Sequence, residues 1–268
     1  MEPMTFDTPN TLQLEVKIPA GGIVVHATDT SVTRLEIRGE HDADDFRIAC
    51  EKVHAGGHRL TIEYRGKRFG WRGTDLSVEL TVPAGTDVAA QTGSAELEVT
   101  GSIGRLTFGS ASGNCRFDRV DRDVSVKTAS GDLSGTDTGG RFTFHSASGD
   151  ARMGEAAGDI VARTASGDVS LGAVGGSVEV STVSGDVSVG ALRTGRASIK
   201  SVSGDVEIGI SRGTRVYLDL GSTSGETVSE LNMADGDSDG GPADLELRVG
   251  TVSGDVRVFR AASETSLA

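Results

Sequence analysis

Apolar residues in this chain fall at every second position, in runs too short to line one side of a helix. In "TASGDVSLGAVGGSVEVSTVSGDVSVG", residues 164 to 190, Val169 and Leu171 alternate with Asp168 and Ser170, and Val178 and Val180 alternate with Ser177 and Glu179. The pattern recurs at Val187 with Val189 and Val206 with Ile208, and at Val124 with Val126, Phe142 with Phe144, Ile160 with Ala162 and Ala197 with Ile199. A period of two predicts short strands with one face buried and the other wet.

These strand pairs belong to a repeat. The glycine of each Ser-Gly-Asp unit falls at Gly113, Gly131, Gly149, Gly167 and Gly185, a spacing of 18, then loosens to Gly204, Gly225 and Gly254, and the series reaches back to Ala95. Two strands and two glycine-rich turns fill such a unit and leave no room for a helix. One unit alone cannot bury its apolar face, so units must stack on one another. The expected fold is all-β, a parallel β-solenoid of about 18 residues per coil with coils ~4.8 Å apart, eight or nine of them making a rod about 40 Å long. Residues 91–260 form this solenoid, interrupted by an acidic insertion near 229–244. Residues 1–90 read as strands without the strict period, an irregular N-terminal cap with the first coils, and 261–268 as a flexible tail, within one continuous domain.

Composition adjusts this picture in two ways. With 38 Gly, 5 Pro and only 4% aromatic residues, the core must be thin and built from small and β-branched side chains. The formal net charge of −13 opposes nucleic-acid and anionic-membrane partners, since phosphates are repelled at long range. Cys50 and Cys115 lie far apart and lack metal-type spacing, which points to reduced thiols rather than a disulfide framework or zinc site. The opening residues show no basic segment followed by an apolar one, and no run of 18 apolar residues occurs. The chain is therefore expected in the cytoplasm without membrane insertion, with a surface location left open.

Stacking the coils aligns Asn114, Asp132, Asp150, Asp168, Asp186, Asp205, Glu226 and Asp255 in one column. Adjacent carboxylates repel, so each must be compensated. A structural role answers this: glycine tolerates a left-handed corner and the following Asp accepts backbone N–H groups. Lys127, His145, Arg163 and Lys200, at the ends of strands leading into the corners, can fold over to meet the acids. A calcium ladder is the competing reading, but Asp directly follows Gly here, unlike the G-G-x-G-x-D-x-U-x roll. Calcium fits a second stretch better. In "DGDSDGGPADLE", Asp235, Asp237, Asp239, Gly240 and Glu246 satisfy D-x-[DN]-x-[DN]-G-x5-E, although no helix flanks the loop and Glu246 falls within a strand. No other cofactor is indicated.

The five histidines, His26, His41, His54, His58 and His145, form no catalytic or metal-binding cluster by spacing, and the repeated serines offer no single activated nucleophile. The chain reads as a non-enzyme. Its most distinctive non-repetitive segment is "EYRGKRFGWRGTD", where Tyr64, Arg65, Lys67, Arg68, Trp71 and Arg72 combine basic and aromatic side chains suited to a polyanion, glycan or protein partner. The bland alternative is a hairpin tip that packs its aromatics on the first coil.

Longer stretches carry a resemblance. "MTFDTP…LEV…GGIVVHATD", "DLSVELTVPAGTDVAAQTGSAELEVTG" and the serial "TASGDVSLG" units resemble the bacterial DUF4097 family of β-strand repeat proteins, often labelled adhesins. "RVYLDLGSTSGETVSELN…ADLELRVGTVSGDVRV" is similar to the long last repeat of its actinobacterial members. The resemblance implies a β-solenoid with no established catalytic activity and no functional residues to carry over. The expected function is an adhesin-like scaffold binding an unidentified protein or polymer. The alternatives are a self-assembling element similar to the bactofilin cytoskeletal proteins, and a calcium-binding repeat protein.

Overall fold

The structure, a computed structural model, describes residues 2–39, 42–53, 56–66, 76–231 and 243–262. The chain divides into two compact units, Met1–Gly139 and Gly140–Ala268.

The first unit opens with β1 (Met4–Asp7), β2 (Leu12–Ile18), β3 (Gly22–Thr28), β4 (Val32–Arg38) and β5 (Phe46–Lys52). It continues through β6 (His58–Tyr64), β7 (Ser77–Pro83), β8 (Asp87–Thr92) and β9 (Glu96–Ile103). It closes with β10 (Leu106–Gly109), β11 (Cys115–Val120), β12 (Val124–Lys127) and β13 (Leu133–Thr138). The strands pair in two sheets, ordered β1-β4-β7-β3-β9-β11-β13 and β5-β6-β2-β8-β10-β12. From β8 and β9 onward each strand of this unit pairs in parallel with its counterpart in the next coil, as in β10 on β12, where Leu106 meets Val124 and Phe108 meets Val126. Side chains at these equivalent positions, including Leu97, Val99, Phe108, Cys115 and Phe117, are buried between the two sheets.

Two features of this unit depart from a simple spiral. The first coil in sequence, β2 with β3, is not at the end of the stack. It lies between the coil of β6 and β7 and the coil of β8 and β9. The outermost strands then run antiparallel: β4 against β7, β1 against β4 and β5 against β6. Residues 12–90 thus supply both regular coils and a cap that closes the edge of the stack.

The second unit begins with β14 (Phe142–His145), β15 (Ala151–Ala156), β16 (Ile160–Arg163), β17 (Val169–Val174), β18 (Val178–Ser181) and β19 (Val187–Leu192). There follow β20 (Gly195–Lys200), β21 (Val206–Ile210), β22 (Val216–Ser224), β23 (Thr227–Ser229), β24 (Leu245–Ser253) and β25 (Val256–Arg260). Its sheets are ordered β14-β16-β18-β20-β24-β22 and β15-β17-β19-β21-β25-β23. The pairings of this unit are parallel, with Val169 on Val187 and Val178 on Ala197, and the register of β19 on β21 shifts once, between Val189 and Leu192. Here too one coil is out of sequence. After β21 the chain lays down β22 and β23 first, then returns to insert β24 and β25 beneath them.

The repeated glycine has a packing role. A Cβ on Gly131, Gly167 or Gly185 would overlap the carbonyl oxygen of Gly113, Gly149 or Gly167 in the neighbouring coil. Among the repeat-corner glycines only Gly204 (φ 147°) and Gly254 (φ 149°) have positive φ, so close backbone approach, rather than a left-handed corner, selects glycine in the others.

Candidate functional site

The aspartate column exists, but its order and its chemistry differ from the sequence expectation. In the first unit Asp132 donates its backbone N–H to Asn114 Oδ1 at 2.9 Å. In the second, Asp168 donates to Asp150 Oδ1, Asp186 to Asp168, and Asp205 to Asp186, at 2.8 to 3.0 Å. Asp255 then donates to Asp205, and Glu226 to Asp255, both at 2.8 Å. Each carboxylate therefore bridges to the next coil instead of bonding within its own turn, and Glu226 ends the second unit's ladder because β22 and β23 lie outside β24 and β25. Arg163 does not fold over the corner; it pairs with Glu179 at 2.6 Å on the sheet face.

Within each unit these corners also carry a hydroxyl bond that the sequence reading overlooked. Ser110, Thr128, Ser146 and Thr164 each accept the N–H of the glycine three residues on, at 2.7 to 3.1 Å. The signal was present as a Ser or Thr always three places before the repeat glycine. Further along, the corner changes: Ser184, Ser203 and Ser253 form bridges, and Val183, Val202 and Val252 stand about half exposed.

The outward face of the β14-to-β22 sheet carries a trough of about 810 Å³. Ser177, Ser181, Gly195 and Ser198 leave its floor low, and Arg141, Asp159, Glu179, Arg196, Lys200 and Glu246 rise around it. Parallel register sets these residues in rows, so that Glu179 lies beside Ser198, Ser198 beside Arg248, and Arg248 beside Asp219. The charges pair: Arg141 with Asp159 at 3.3 Å, and Glu246 with both Arg196 at 2.9 Å and Arg248 at 2.6 Å. Hydrogen bonds from Arg196 and Arg248 hold Glu246 below the usual carboxylate range against the opposing effect of burial, and Arg163 does the same for Glu179. Such groups stay ionised at neutral pH, where they accept hydrogen bonds and do not donate protons.

The opposite sheet of this unit bears a smaller cleft of about 550 Å³, lined by Glu207, Arg212, Glu230, Arg257, Phe259 and Arg260. Arg257 pairs with Glu230 at 2.8 Å and lies 5.7 Å from the centroid of the Phe259 ring. Arg260 donates to the carbonyls of Ser211 and Thr214, both at 3.1 Å, fixing the turn that presents Arg212 to solvent.

The basic-aromatic segment is only partly described. Tyr64 packs edge-on against Phe46, with centroids 5.2 Å apart, and burial together with Asp45 and Asp42 raises its hydroxyl pKa. Arg65 forks onto Glu63 at 2.8 and 3.1 Å. Both are engaged within their own hairpin; Lys67, Arg68, Trp71 and Arg72 lie outside the described residues. The calcium template is divided likewise. Asp235, Asp237 and Asp239 lie outside the described residues, while Glu246 is in β24 with its carboxylate taken up by two arginines. No grouping of three metal-ligating side chains occurs among the described residues. Cys115 is buried and Cys50 exposed, both as free thiols, and burial pushes the Cys115 thiol pKa up.

The profile of the Toastrack DUF4097 family matches residues 12–259, which includes both units. The chain belongs to the Toastrack family. Solved structures similar to this Toastrack chain include a candidate adhesin from Parabacteroides distasonis ATCC 8503, at 13% identity and TM-score 0.50, covering 96% of each chain. A candidate adhesin from Bacteroides fragilis NCTC 9343 matches at 12% identity and TM-score 0.49, again over 96% of each chain. A candidate lipid-binding protein from Parabacteroides distasonis ATCC 8503 matches at 13% identity and TM-score 0.49, over 97% of this chain and 96% of its own. No curated protein matches the Toastrack chain.

Proposed function

We propose that this Toastrack protein is a non-catalytic, adhesin-like scaffold that binds an extended polymer or protein segment along the outward face of its second unit. The observation that carries this reading is the trough. Its floor of Ser and Gly is low across successive coils, and its walls are fixed in register by ion pairs, so the site is preformed. Its mixed charges favour polar, shape-matched recognition over simple attraction to one sign of charge. The description of a similar fold as a candidate adhesin agrees with a binding role.

Immobilised protein and a Ser198→Trp variant, which fills the trough from an outward position, should be compared in capture from fractionated native cells. The expected result is a defined component retained by the parent and lost by the variant, whose melting temperature stays within a few degrees of the parent. Equal capture by both would remove the trough from consideration, and the fraction supplying the component gives the cellular address.

A further inference from the structure

The two units end their stacks differently. In the first, β4 lies antiparallel on β7 and is itself covered by the four-residue β1, while β5, with Arg47, Glu51 and Lys52, covers β6. Short and charged outer strands of this kind discourage further pairing. The second unit ends on β22, a strand of nine residues that pairs with β24 on one side and, among the described residues, with nothing on the other. Its sequence VYLDLGSTS holds one charged residue, Asp219, and neither Lys, Arg nor Pro.

Among the described residues no strand covers the apolar side chains at this edge. Leu245, Leu247 and Val249 in β24 are 1%, 0% and 4% exposed, whereas their register partners Val216, Leu218 and Leu220 are each only half-buried. Tyr217, on the outward side, is 57% exposed. A further strand laid along β22 would cover the flanks of these apolar side chains and satisfy a row of backbone groups.

We propose that the protein forms a two-fold dimer in which β22 pairs antiparallel with β22 of a second copy. Symmetry and side-chain direction select the register. Residues directly opposite in an antiparallel pair point to the same face, so a symmetric pairing must centre on a residue, since centring between two residues would set inward against outward positions. The midpoint of Val216–Ser224 is Leu220. Centring there sets Leu220 against Leu220, Leu218 against Ser222 and Val216 against Ser224, all on the inward face. On the outward face Tyr217 meets Thr223, an aromatic and β-branched pairing that stabilises sheets. Asp219 meets Gly221, so the one charge on the strand is not opposed by its copy. A two-fold contact uses the same edge on both partners and closes, which gives a dimer and not a filament.

The experiment is sedimentation equilibrium of the full chain with three variants. The parent is expected to be a dimer that dissociates on dilution. Leu220→Lys points a charge into the joint and should weaken association by at least about tenfold, with the β-sheet circular dichroism retained. In a Cys50→Ser background, Leu220→Cys should form a covalent dimer on mild oxidation, while Tyr217→Cys, six residues from its own copy in this register, should not. A strictly monomeric parent, or species growing past dimer, overturns the proposal. So does a dimer indifferent to Leu220→Lys, or a cross-link stronger at position 217 than at 220.

Discussion

A carboxylate repeated every coil is a liability for a chain that already carries a net charge of −13, and its retention is explained by what one oxygen does. Oδ1 of Asp186 accepts the N–H of Asp205, as Asp168 Oδ1 accepts that of Asp186. The bond needs a short side chain with an acceptor oxygen, and it does not need a charge, because Asn114 makes the same bond to Asp132. Asp186→Asn should therefore keep the native melting temperature or raise it slightly by relieving repulsion along the column. Asp186→Ala strands the Asp205 amide and should cost about 1 kcal/mol in urea unfolding. Equal loss in both variants would show that the charge itself matters. The corner role of these acids was legible from their position after Gly. That the bond crosses to the next coil was not, because an Asx turn and an inter-coil rung require the same residue at the same place.

At the level of strands, the 18-residue spacing identified the equivalent positions correctly: Leu106 and Val124 share an inward site in the first unit, and Phe142, Ile160 and Val178 share one in the second. Equivalence does not determine adjacency. Asp205, Glu226 and Asp255 all close a corner of the same kind, so nothing in the motif says that the last coil in sequence slides beneath the one before it. The long stretch between Gly225 and Gly254 was the only hint, since a returning chain needs more residues than a simple turn. The consequence is that β24 and β25 have neighbours on both sides, while among the described residues β22 and β23 take their ladder bonds from β24 and β25 alone. Truncation after Leu231 removes the inserted coil. In a spiral stacked in sequence order, residues 216–229 would stay protected from amide exchange by the coil of β20 and β21. With the observed order they should lose protection entirely, while Val178–Ser181 and Val187–Leu192 keep theirs. Retained protection in 216–229 would mean that this order is not the one the protein adopts in solution.

Across the whole molecule, 39 acidic residues outnumber 26 Lys and Arg, and many of the acids lie within reach of an arginine, either across the parallel register or two residues away along the chain. Hydrogen bonds from Arg65, Arg163, Arg215 and Arg196 lower the pKa of Glu63, Glu179, Asp244 and Glu246, respectively. A carboxyl whose folded pKa is depressed stabilises the fold above its unfolded pKa, and that contribution disappears as pH falls through the folded value. Each exposed pair is weak, so the effect resides in their number and in the net charge. Below about pH 4 the carboxylates become protonated, leaving the Lys, Arg and 5 His unopposed, and the positive charges then repel one another within each unit. The melting temperature should be nearly level from pH 8 to about pH 5 and fall steeply below about pH 4, more gently in high salt where the repulsion is screened. Arg196→Gln frees Glu246 to titrate closer to its ordinary range, so the variant should lose part of its stability at neutral pH and show a shallower acid limb than the parent. A melting temperature that rises on acidification would mean that repulsion among the acids at neutral pH outweighs every arginine pairing described above.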